Sequence, residues 1–254
     1  MIHLTEKDCI NIKYELQKGR LTIPGIRTYL LGVLLYSGFT VGVSLFAATG
    51  NNVGWETLSS GWHTIYYIEM ILFAINILII LFCWKINNIN QKILVIAIIL
   101  FTYKTALDQY IAILMFSKDR DIYDFYAPLV LMIIAIGFIV QIIVLRNWIK
   151  GIEGINKLRN KKTKKKLLFP VLFLFAVLVG TIFNNNLFMD KEIAFIFVVA
   201  SVVYIAMLIG QCEFIIAAYC VFRFPSFAVN SPQKKQQYLN NKKQKKKKRK
   251  RNNY

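Results

Sequence analysis

Histidine is almost missing from this chain. His3 and His63 are the only two, and the spans assigned below set them on opposite sides of a membrane. No HExxH, GxGxxG, Walker A or GxSxG run occurs. These absences argue against a metalloprotease and a histidine-dependent hydrolase, and an ATP-driven pump would need a nucleotide domain elsewhere. Cysteine is scarce as well: Cys9, Cys83, Cys212 and Cys220 are scattered, with no CxxC pair. That spacing offers neither a disulfide framework nor a zinc site. Acidic residues number 13 against 32 Lys and Arg, for a net charge of +19. Catalysis on Asp108 would need a second carboxylate, and Glu69 is the one nearby candidate. No internal or inverted repeat stands out, which weakens a standard secondary-transporter reading. The expectation is a non-enzyme with no cofactor and no metal.

Apolar sequence is what the chain has in excess. Of 254 residues, 56% are hydrophobic, and the mean hydropathy is +0.48. A soluble domain gathers its apolar residues in shorter runs. Here the runs are long enough to cross a hydrocarbon core, which takes about 20 helical residues. They predict an all-α, polytopic transmembrane helical bundle of six spans, at 29–48, 64–84, 93–116, 126–145, 167–188 and 193–216. The chain then divides into an N-terminal segment 1–28, a transmembrane domain 29–223 and a tail 224–254. Residues 1–28 are polar and carry eight charges, so a cleaved leader is not expected.

The basic residues fix an orientation. Twenty-eight of the 32 Lys and Arg fall in 1–28, 85–92, 146–166 and 223–254; three fall in the alternate loops, and Lys104 lies inside a span. The positive-inside rule therefore places both termini in the cytoplasm and the protein in the cell membrane. Trp55, Trp62, Trp84 and Trp148 sit at or just beyond span ends, where indole rings prefer the interface. All four cysteines land on the cytoplasmic side, where thiols stay reduced.

Three segments outside the spans carry a pattern. Residues 5–18 read as a short helix: Thr5 and Asp8 have capping-box spacing, Cys9, Ile12 and Leu16 share a face, and Gly19 stops it. A frayed tail is the alternative. Leu145, Trp148, Ile149, Ile152, Ile155 and Leu158 repeat at helical spacing among basic residues, which suits a helix leaving the membrane or lying on it. The basic clusters Lys161, Lys162, Lys164, Lys165, Lys166 and Lys245, Lys246, Lys247, Lys248, Arg249 predict contact with anionic lipid at the cytoplasmic face. The alternative is an RNA or ribosome contact through the tail, but no aromatic interleaving or RNA-binding module accompanies it.

Inside the membrane, Lys104 and Asp108 stand out. Each charge at that depth costs about 2.5–3.5 kcal/mol. Four residues apart, they share a helix face and can pair. Glu69, on the preceding span, falls on the same side of the midplane as Asp108. If the two spans are antiparallel neighbours, Glu69 approaches the pair and a polar cavity open to the outside is expected. Two readings compete: a counter-ion or proton- or ion-coupled site, and a self-neutralised pair that locks the bundle. Gly38 and Gly42 have GxxxG spacing and predict a close helix contact, within the chain or between copies. Glu213 is expected to be solvated at the interface, and Gln141 to bond between helices.

Three classes of function follow: a non-enzymatic membrane partner (accessory subunit, assembly factor or immunity-type protein), a small transporter or permease component built on Lys104, Asp108 and Glu69, and, least favoured, an intramembrane enzyme. A protein partner or a homo-oligomer accompanies the first.

Overall fold

The computed structural model describes residues 5–6, 8–50, 53–154 and 190–229. The predicted span 167–188, the lysines of 161–166 and the tail with Lys245–Arg249 lie outside the described residues. Among the described residues six α-helices form: α1 (Ile10–Lys18), α2 (Ile23–Gly50), α3 (Ser60–Phe82), α4 (Asn88–Asp119), α5 (Tyr123–Gly154) and α6 (Lys191–Arg223). All but α1 are long and apolar enough to cross a membrane. An apolar run in lipid has to satisfy its backbone internally, and a helix is the way a single segment does so. The result is an all-α, multi-pass helical bundle.

Four of the five spanning helices extend beyond both ends that hydropathy predicts, because polar flanking residues continue the turn or cap it; α3 starts earlier, at Ser60, but stops at Phe82, short of the expected 84. Asn87 caps α4, its Oδ1 accepting from the amide of Asn90 at 2.7 Å. Asp190 caps α6 by accepting from the amides of Glu192 and Ile193. The far end of α4 closes in a Schellman motif: Ile122 N donates to Ser117 O at 2.9 Å and Asp121 N to Lys118 O at 3.3 Å. Asp121 takes the left-handed position, φ 57°. The helix expected over 5–18 begins later, at Ile10. Thr5 and Asp8 close a separate turn on each other, with Thr5 N donating to Asp8 Oδ2 at 3.0 Å. Gly19 does end α1, and Cys9 and Leu16 are buried while Ile10 and Tyr14 are exposed.

Bonds between helices give their directions. Tyr29 pairs with Thr102 and Tyr36 with Gln109, so α2 and α4 run parallel in register. Ser44 and Tyr66 share a 2.6 Å hydrogen bond that sets α3 antiparallel to α2. Gln211 donates to Ile99 O at 2.8 Å and Asp190 meets Arg120, so α6 opposes α4. Tyr126 donates to Asp190 O and Tyr204 to Ile134 O, so α5 and α6 run parallel. The chain therefore enters α2 and leaves α6 at one end of the bundle, here the proximal end. Helix α4 is central: 61% of its most apolar stretch is buried, against 22% for α3 and for α5.

At the proximal end, α1 and the 3-10 turn Pro225–Phe227 pack under the spans, with Leu16, Ile26, Leu94, Cys220 and Phe227 in one core. Gln91, itself buried, donates to Phe227 O at 3.3 Å and accepts from Val229 N at 3.0 Å, which ties the segment after α6 to α4. Glu213 is not free at an interface as the sequence suggests: it is ion-paired with Arg20, across from α1.

The glycines also differ from expectation. A methyl group at Gly38 would meet Phe73 Cζ at 2.9 Å, so this glycine does admit a neighbour. Gly42 faces open space, and the GxxxG pair makes no joint contact. Among the described residues, the tightest contact of a glycine with another spanning helix belongs to Gly137, where an added methyl would overlap the Tyr204 ring.

Candidate functional site

Three helices converge on Lys104. Its register on α4 places Asp108 one turn on, and the parallel pairing with α2 brings Ser37 level with both. Lys104 Nζ donates to Asp108 Oδ2 at 2.8 Å and to Ser37 Oγ at 2.7 Å, and is ion-paired with Glu69 Oε2 of α3. Ser37 in turn donates to Asp108 Oδ2. Exposure of the three charged side chains is 8% for Lys104, 9% for Glu69 and 1% for Asp108. An ammonium has three donors, and here three oxygens surround it.

Phe73 lies over the ammonium, its ring centroid 5.4 Å from Nζ. The glycine at 38 is what lets that ring approach α2. Ser37, Phe73, Asn76, Lys104 and Thr105 line the crevice beside the triad, which leaves essentially no room for a water molecule. The open polar cavity expected at the triad is not found beside it among the described residues; the crevice there is too tight for water. Asn76 Oδ1 and Thr105 Oγ1 in that crevice are buried without a hydrogen-bond partner.

The remaining polar residues of the spans bond between helices. Tyr103 donates to Gln141 Oε1 at 2.9 Å, joining α4 to α5. At the distal end Arg120 bridges Asp190 and Glu192, tying the end of α4 to the start of α6. The Arg120 guanidinium, with the two capping amides, holds the Asp190 carboxyl below its ordinary pKa. At the proximal end the Lys13 ammonium and the Ser226 hydroxyl do the same for Glu6. No group of three or more metal-binding side chains occurs among the described residues.

The structure thus brings Glu69, Lys104 and Asp108 into one site, places Gly38 beside it through Phe73, and leaves Gly42 outside it. Sequence reasoning missed Ser37, Phe73 and Asn76 as members. Ser37 and Asn76 gave a faint signal as polar residues within apolar runs; Phe73 gave none.

Five long apolar helices, three of them joined around a buried ion triad, define a polytopic α-helical membrane protein. No family model matches the chain, and neither a curated protein nor a solved structure is significantly similar to it.

Proposed function

We propose that this protein is a non-enzymatic multi-pass membrane partner, an accessory subunit, assembly factor or immunity-type protein, in which the Lys104 triad is a structural clasp. The observation that carries this reading is the enclosure of Lys104. Its ammonium donates to Ser37 and Asp108, is ion-paired with Glu69 and is roofed by Phe73. It is held by the bundle's own side chains. A buried charge so held joins α2, α3 and α4, and removing one partner of such a cluster costs about 3–5 kcal/mol.

The reading includes a six-span topology with both termini cytoplasmic. Its support is directional. Helices α5 and α6 run parallel, so the chain between them has to recross the bilayer. The basic residues, gathered on the proximal side, set that side in the cytoplasm. There the lysines of 161–166 and the tail with Lys245–Arg249 act as electrostatic tethers to anionic lipid, worth about 1 kcal/mol per residue near the surface. An alternative reading, a small transporter component, draws support from one feature: two carboxylates face a single ammonium.

The two readings separate on Lys104→Ala and Asp108→Ala, measured together with capture of the wild-type protein from its membrane in mild detergent. The partner reading expects a stoichiometric protein in the capture and a large stability loss in both variants. A bare monomer or homodimer, with variants that fold normally yet abolish flux in vesicles, replaces it with the transporter reading.

A further inference from the structure

We infer that the triad is a proton-binding site, with one proton resident on Glu69. The inference goes beyond the clasp reading and holds whichever partner the protein serves.

The first support is the charge count. Glu69 and Asp108 together bring two carboxylates, and Lys104 is the cation among them. The other titratable groups that the packed helices bring near are Tyr36 of α2, bonded to Gln109, and Tyr66 of α3, bonded to Ser44. Neither adds a positive charge. With both acids ionised the cluster carries one uncompensated negative charge inside the membrane, which is costly to hold. The crevice has no room for a hydrated counter-ion. A proton neutralises the cluster and needs no volume.

The second support is the difference in how the two carboxyls are bonded, which also says which of them holds the proton. Asp108 Oδ2 accepts from both Ser37 and Lys104, donors that favour an anion. Glu69 Oε2 faces Lys104 as an ion contact but has no well-formed hydrogen bond. Asp108 is therefore the carboxylate and Glu69 the protonated acid. The assignment makes the attachment of α3 to the central helix depend on one proton.

Infrared spectroscopy of the full-length protein in nanodiscs, with isotope-labelled glutamate, tests this at neutral pH. The expected result is a protonated carboxyl band that shifts with the glutamate label and vanishes in Glu69→Gln. Thermal unfolding gives a second readout that tolerates a lost spectrum. Glu69→Gln, a neutral mimic of the protonated acid, should melt close to wild type, whereas Asp108→Asn should melt far lower. Raising the pH should destabilise wild type and leave Glu69→Gln unmoved. The inference is overturned by a band that persists in Glu69→Gln, by no protonated carboxyl in wild type, or by equal loss in the two variants. Stabilisation by sodium over potassium or choline at fixed pH would also overturn it, because the resident cation would then be a metal ion.

Discussion

At the residue scale, the bundle relies on a few polar contacts set in an apolar surround, and each has a distinct signature. Tyr66 and Ser44 are both buried and share a 2.6 Å bond between α2 and α3. Tyr66→Phe should cost about 1 kcal/mol, within the range of hydrogen bonds between membrane helices. The double variant with Ser44→Ala should cost less than the two single losses added, because it leaves no orphaned hydroxyl. A double-mutant cycle on unfolding in mixed micelles reads this directly. Asp190 behaves differently, since it lies outside the spans. It caps α6 and pairs with Arg120, so Asp190→Ala should lose about 1 kcal/mol near neutral pH. Its carboxyl titrates below the ordinary value of 3.8. A group whose pKa is lowered by folding stabilises above its unfolded pKa, and that stability fades as pH falls through the folded one. The gap between wild type and Asp190→Ala should therefore close below pH 3.8, as followed by thermal melts across acid pH. Residues of this kind were partly legible in sequence. Lys104 and Asp108 announce themselves as charges one turn apart in an apolar run. Ser37 and Phe73 do not, because only the register of α2 and α3 against α4 makes them neighbours of Lys104.

At the element scale, the helices were legible as apolar runs and their ends were not. Hydropathy falls at the first polar residue, whereas the helix continues until a cap or a turn stops it. Asn87, Asp190 and the left-handed Asp121 set ends that a hydropathy window does not see. Packing between helices was the least legible feature. Gly38 and Gly42 have the familiar spacing, yet Gly42 meets nothing and the isolated Gly137 carries the tightest contact between spanning helices among the described residues. Spacing marks a groove on one helix; what fills it belongs to the other. Gly137→Ala should cost about 1–3 kcal/mol, because the added methyl overlaps Tyr204 in a packed interface. Gly42→Ala should stay within about 0.5 kcal/mol of wild type or gain slightly, since it reaches open space and alanine favours the helix. Comparing the two by unfolding in mixed micelles checks the assignment. A larger loss at Gly42 would show a contact that this single chain does not make, such as one to a second copy.

At the scale of the whole molecule, the directions of the helices constrain the topology more tightly than their hydropathy does. Five apolar helices cross the bundle, and the chain enters α2 and leaves α6 at the same end. A chain that returns to its starting side has crossed an even number of times. Helices α5 and α6 run the same way and touch along their length, through Tyr126 at Asp190 and Tyr204 at Ile134. Parallel neighbours cannot be joined by a short loop, which is why the proposed topology has a sixth crossing. In that proposal the charge asymmetry orients the whole. Single cysteines, placed in a variant lacking the four native thiols, report this directly in intact cells. A cysteine at Gly54, in the turn between α2 and α3, should react with an impermeant maleimide from outside. Cysteines at Asn88 and Ser226 should react only after the membrane is opened. If Asn88 labels from outside and Gly54 does not, the bundle is inverted, and the positive-inside argument fails while the crossing directions stand. If Gly54 and Ser226 label from the same side, the recrossing itself fails, because those residues sit at opposite ends of the bundle.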